Sequence, residues 1–137
     1  MKDFVNFDIA NKLKEKGFKE QCLAYYTKDS CFYYNTSYGS DVENAFKSFN
    51  SRPNHICGKR IDAPTISQVL KWLREEKKLY VGVTYSPKIE GSQDFFYATI
   101  QYIGDYKKTI YPNDSYDNWE GAALNGIEYA IDNNLIL

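Results

Sequence analysis

The stretch that decides the fold is TISQVLKWLREEKKLYVGVTYS, running from Thr65 to Ser86. Its first half has a helical period. Ile66, Val69, Leu70 and Leu73 fall on one stripe, while Lys71, Arg74, Glu75 and Lys78 face water. Thr65-Ile66-Ser67-Gln68, just behind Pro64, has the pattern of a capping box. At Leu79 the period changes from about 3.6 to 2. Leu79, Val81, Val83 and Tyr85 then share one side of a strand.

Toward the C-terminus the alternation returns. Phe96, Ala98, Ile100 and Tyr102 oppose Phe95, Tyr97 and Thr99, and the polar residues 86–94 form a hairpin loop. Gly104-Asp105 leads into a third strand near 106–111. A last helix is expected to begin at the capping box Asp117-Asn118-Trp119-Glu120. Trp119, Ala122, Ala123, Gly126, Ile127, Ala130 and Ile131 make its apolar stripe, and the small residues let it sit close to a sheet. Residues 65–133 therefore read as an αβββα unit. Both helices carry a single apolar stripe, so both should cover the same face.

Toward the N-terminus, Asn6 can cap a helix over 7–16, with Ile9, Ala10 and Leu13 on one face and Gly17 as a left-handed stop. Two short aromatic strands follow, near 22–26 and 31–35, turning at Lys28-Asp29. Residues 36–62 read as an elaboration. Asp41 can cap a short helix there, with Val42, Ala45, Phe46 and Phe49 on one face, before the loop over 50–55. The expectation is an α+β fold in a single domain, 1–137. It should contain one antiparallel sheet of about five strands, with two or three helices on one face.

Two resemblances attach to these residues. The αβββα order with an Ala-rich closing helix is similar to the double-stranded-RNA-binding domain. That family places Lys at the start of its last helix to meet phosphates. Here the position reads Asp117-Asn118-Trp119-Glu120, so duplex nucleic acid is not an expected partner. The chain also resembles a family of small uncharacterised proteins of gut anaerobic bacteria and their bacteriophages. The matching stretches are Lys14-Glu15-Lys16-Gly17-Phe18 with Ala24-Tyr25-Tyr26, Ala63-Pro64-Thr65 through Lys71-Trp72-Leu73-Arg74-Glu75, and Tyr116-Asp117 to Ile131. They cover most of the chain except residues 36–61. They are caps, stripes and a Trp, so they imply a phage or mobile-element context and no catalytic residue. Any function specific to this member would sit in 36–61.

With 137 residues, 43% apolar and 26% charged, the chain is long enough for one domain with a real core. No apolar run approaches a membrane span of about 20 residues. Met1-Lys2-Asp3-Phe4 shows no signal-peptide core, and three Cys make no disulfide framework, so a cytoplasmic setting is expected. In a phage context that is the host cytoplasm. A net charge of −1 argues against non-specific duplex binding.

Catalytic chemistry has little to build on. The single His, His55, lies two residues from Cys57, but nothing nearby orients the pair. Cys22, Cys31, His55 and Cys57 have the ligand count for zinc without the tight Cys-x-x-Cys spacing. Glu75 and Glu76 point apart on a helix. No phosphate-cradling Gly loop or metalloprotease motif occurs, so no enzyme, metal or cofactor is expected, a cysteine-dependent hydrolase at Cys57 being the weakest alternative.

Binding is better motivated. The 13 Tyr are more than a small domain can bury, and flat amphipathic rings suit recognition. Tyr25, Tyr33, Tyr80, Tyr97 and Tyr111 are strand or strand-end residues of this kind. Residues 44–61 contain Lys47, Arg52, Lys59 and Arg60 and no acid. Guanidinium forks grip phosphate, and stacking rings hold bases. The expected ligand site is therefore Arg52, His55, Lys59, Arg60, Tyr33 and Tyr97, for a small nucleotide-like ligand sequestered by a non-enzymatic host-defence antagonist. The alternative is a protein–protein inhibitor or adaptor acting on a host protein through an aromatic sheet face or the acidic last helix. The apolar tail Leu135-Ile136-Leu137 must pack on the domain or on a second copy, so a homodimer is a further expectation.

Overall fold

A computed structural model of the chain describes residues 3–34, 60–87, 93–105, 108–112 and 114–136. The expected helix over 41–49, along with Arg52, His55, Cys57 and Lys59, lies outside them. The chain divides into two compact units, Phe4–Thr65 and Met1–Asp3 with Ile66–Leu137. The broad α+β class is as expected.

In the first unit, α1 spans Phe7–Glu15, and the Asn6 side chain accepts from Ile9 N at 2.9 Å. Ile9, Ala10 and Leu13 are buried, and Gly17 ends the helix at φ +90°. That conformation is open to Gly without strain. Strands β1 (Ala24–Tyr26) and β2 (Phe32–Tyr34) form an antiparallel hairpin. Its turn is closed by Thr27 N donating to Cys31 O at 2.9 Å, with Ser30 at φ 64°. Strand β3 (Ile61–Asp62) pairs with the other edge of β1, giving the order β2-β1-β3. Alternation then sorts the sheet. Ala24 and Tyr26 are buried on one face, where the Tyr26 hydroxyl donates to Val5 O at 2.8 Å and its ring meets Phe7 and Phe32 edge-on or tilted. Tyr25, Tyr33 and Asp62 take the other face.

In the second unit, α2 spans Ile66–Glu76, β4 Leu79–Ser86, β5 Phe95–Tyr102, β6 Thr109–Ile110 and α3 Trp119–Asp132. The αβββα order is present, with strands β4-β5-β6 all antiparallel. Val81 stands opposite Ile100 and Val83 opposite Ala98, on the face the helices cover. A Cβ on Gly126 of α3 would stand 2.7 Å from Val81 Cγ1 and 2.9 Å from Ala98 Cβ. The helix backbone therefore rests directly on the sheet, which is why a residue costing about 1 kcal/mol against Ala sits mid-helix. Ile136 is buried within the single chain, so the described part of the apolar tail needs no second copy to cover it. No described helix is long and apolar enough to cross a membrane.

Several expectations are corrected. The strands do not join one five-stranded sheet; the described residues form two three-stranded sheets, one per unit, and α1 belongs with the first. Residues 61–62, read as the end of an elaboration, are a strand of the first sheet. The last helix is capped one residue later, by Asn118, whose side chain accepts from Gly121 N at 2.6 Å. Trp119 thus becomes the first helical residue and is 39% exposed rather than part of the buried stripe. In α2 the buried set is Ile66, Val69, Trp72 and Leu73, with Leu70 half-buried. Lys77 Nζ lies 5.4 Å from the Trp72 ring centroid, giving that ring a cation–π partner at its edge of the core.

Candidate functional site

In the first unit, the pairing register assembles a row of side chains that lie far apart in sequence. Tyr25 on β1 stands opposite Tyr33 on β2, and the rings stack with centroids 5.3 Å apart and planes 21° from parallel. Arg60, just before β3, sets its Cζ 5.7 Å from the Tyr25 centroid. The row is therefore ring, ring, guanidinium. Tyr33 is 43% exposed, while the Arg60 side chain is 17% exposed.

Beside the row is a cavity of about 390 Å³ lined by Ala10, Lys14, Phe18, Lys19, Arg60 and Asp62. Helix α1 supplies Ala10 and Lys14. The chain leaving Gly17 supplies Phe18 and Lys19, and β3 brings Arg60 and Asp62. Among the described lining residues three cations face one carboxylate, so the cavity favours an anion. Arg60 Nε lies 3.2 Å from Asp62 Oδ1, an ion pair without the alignment of a hydrogen bond. Burial pushes the Asp62 carboxyl up from its ordinary value, and Arg60 and Lys14 pull it partly back down. The Asp62 carboxylate and the Tyr25 ring both fix the guanidinium, whose planar fork matches the geometry of carboxylate and phosphate.

Cys22 is buried near these charges, and its thiol donates to Glu20 O at 3.4 Å. Desolvation, then Asp62, raises it to about 12, which keeps it a neutral thiol near neutral pH. Among the described residues no group of His, Cys, Asp and Glu could hold a metal ion.

Of the six expected ligand residues, the structure brings Tyr33 and Arg60 into one row. Tyr97 belongs to the second unit, where it lies on the open face of β5 with its ring 6.0 Å from Phe95. Arg52, His55 and Lys59 are outside the described residues. Sequence reasoning missed Lys14, Lys19 and Asp62. Only the return of β3 beside β1 makes the two Lys neighbours of Arg60. No family model, curated protein or solved structure matches the chain.

Proposed function

We propose that this protein binds a small nucleotide-like anion and performs no chemistry on it. The single observation that carries the reading is the Tyr33–Tyr25–Arg60 row opening beside a cavity with Lys14 and Lys19. A base stacked on the outer face of Tyr33 gains about 1–3 kcal/mol by the usual scale of base–aromatic contacts. Arg60 and the two Lys supply donors for phosphate oxygens. In the phage context that the resemblance implies, sequestration of a nucleotide signal in the host cytoplasm would blunt a host defence.

Isothermal titration with cyclic and ADP-ribose-type nucleotides tests the reading, with adenosine as the uncharged comparator. At least one nucleotide should release heat and adenosine should bind far more weakly. Arg60→Ala and Tyr33→Ala should each weaken binding about tenfold or more. An absence of heat with every nucleotide, or affinities indifferent to both substitutions, retires the proposal.

A further inference from the structure

The second unit presents a site of opposite character. We propose that the open face of the β4-β5-β6 sheet, centred on Tyr80, binds a neutral polyhydroxylated ring, the chemistry of a sugar.

Register places Tyr80 opposite Gln101, Gly82 opposite Thr99 and Thr84 opposite Tyr97, on the face that alternation turns away from Val81 and Ala98. From Tyr80 to Ser86 and from Phe95 to Gln101, no residue on this face carries a formal charge. A Cβ on Gly82 would stand 2.9 Å from Tyr80 Cε1 and 3.4 Å from Thr99 Oγ1. The Tyr80 ring therefore leans along its own strand over the bare backbone of Gly82. It is 46% exposed, so the ring side away from the backbone is available for stacking. The negative π face of an aromatic ring attracts the weakly positive C–H groups on the flat side of a sugar.

Polar groups flank the ring. Gln101 Nε2 donates to Thr109 Oγ1 at 2.9 Å, which orients the amide. By inventory the amide has one more N–H and a carbonyl oxygen, a donor and an acceptor suited to two neighbouring hydroxyls. Gly104, at φ +98°, turns the chain so that Ile103 and Asp105 wall a groove of about 430 Å³ with Tyr80, Gln101 and Tyr102. That lies within the roughly 300–1,000 Å³ of small-ligand sites. Among the described lining residues Asp105 is acidic and none is cationic, so none of them draws a phosphate. Charge thus sets this groove apart from the Arg60 cavity: the described lining of one holds cations, and that of the other holds none.

Amide-resolved NMR titration of the full chain tests the proposal with the methyl glycosides of glucose, galactose, mannose and N-acetylglucosamine. Glucose 6-phosphate and adenosine serve as comparators. At least one neutral glycoside should shift the Tyr80, Gln101 and Gly104 resonances, with a dissociation constant on the order of 1 mM. Tyr80→Phe should retain binding, whereas Tyr80→Ala should weaken it about tenfold. Gly82→Ala should weaken it too, by lifting the ring from its seat. Asp105→Lys, in an exposed turn, should shift preference toward the sugar phosphate. The proposal is overturned if no glycoside shifts these resonances at about 50 mM, if Tyr80→Ala binds as the parent does, or if the phosphate ester or adenosine shifts the Tyr80, Gln101 and Gly104 resonances at lower concentration than every neutral sugar.

Discussion

Tyr25 and Tyr33 are cross-strand partners whose rings stack 5.3 Å apart, 21° from parallel. Such pairs contribute about 0.2–1 kcal/mol relative to an Ala–Ala pair. A double-mutant cycle with Tyr25→Ala, Tyr33→Ala and the double variant should give a coupling energy in that range by urea unfolding. Tyr33→Ala alone should cost less stability than Tyr25→Ala, because Tyr25 also carries the Arg60 guanidinium. A coupling of zero would mean that the stack does not organise the row in solution.

Asp62 is the one acid among the described residues lining the Arg60 cavity, and its carboxylate competes with an incoming anion. Asp62→Asn should therefore tighten nucleotide binding several-fold. The pH dependence has the same sign. The folded carboxyl sits above its ordinary value because it is buried. Protonation as pH falls through that raised value removes the competing charge, so affinity should rise toward acid pH and Asp62→Asn should flatten the profile. Titration calorimetry at several pH values reads both effects.

Cys22 predicts a base-sensitive stability. Its thiol ionises near an ordinary 9.0 in the unfolded chain and at about 12 in the fold. Between those values the unfolded state has lost a proton that the folded state keeps, so stability falls as pH rises above 9.0, by at most about 1.4 kcal/mol per pH unit. The contribution is fully present below that window. Cys22→Ala should remove this slope from denaturation midpoints measured from pH 8 to 10. Iodoacetamide at pH 8, followed by peptide mass analysis, should label exposed Cys31 and spare Cys22 in the native protein.

Asn118 holds the start of α3 through one hydrogen bond to Gly121 N. Asn118→Ala should cost about 1 kcal/mol, and Asn118→Asp, which keeps an acceptor at the positive end of the helix, should cost little. Asp117→Ala, at the position the sequence pattern favoured, should be nearly neutral. Thermal unfolding of the three variants separates them.

Much of the local structure was legible in the residues. Asn6, Gly17 and the Ile9–Leu13 stripe marked α1. The change of period at Leu79 located the joint between α2 and β4, and the small residues of α3 foretold its close approach to the sheet. The assignment of strands to sheets was not legible. Strand β3 has only two residues, too few for an alternation to register, and its pairing with β1 is a long-range contact across more than thirty residues of chain. The same pairing hid the site. Tyr33 and Arg60 each drew attention for their own chemistry, but Lys14, Lys19 and Asp62 acquire meaning only once β3 lies beside β1. Trp72 was overlooked because a stripe drawn through Leu70 left it on the rim, whereas the fold buries its ring and leaves Leu70 half-covered.

The seat of α3 has a last consequence. Gly126, Val81 and Ala98 share one small volume, with contacts of 2.7 and 2.9 Å waiting for any Cβ at 126. The three positions thus share one packing constraint: a methyl gained on the helix needs room given up by the sheet. Gly126→Ala alone should be harmful, and Val81→Ala should relieve only the part of the cost that Val81 Cγ1 causes, because the Ala98 Cβ contact remains.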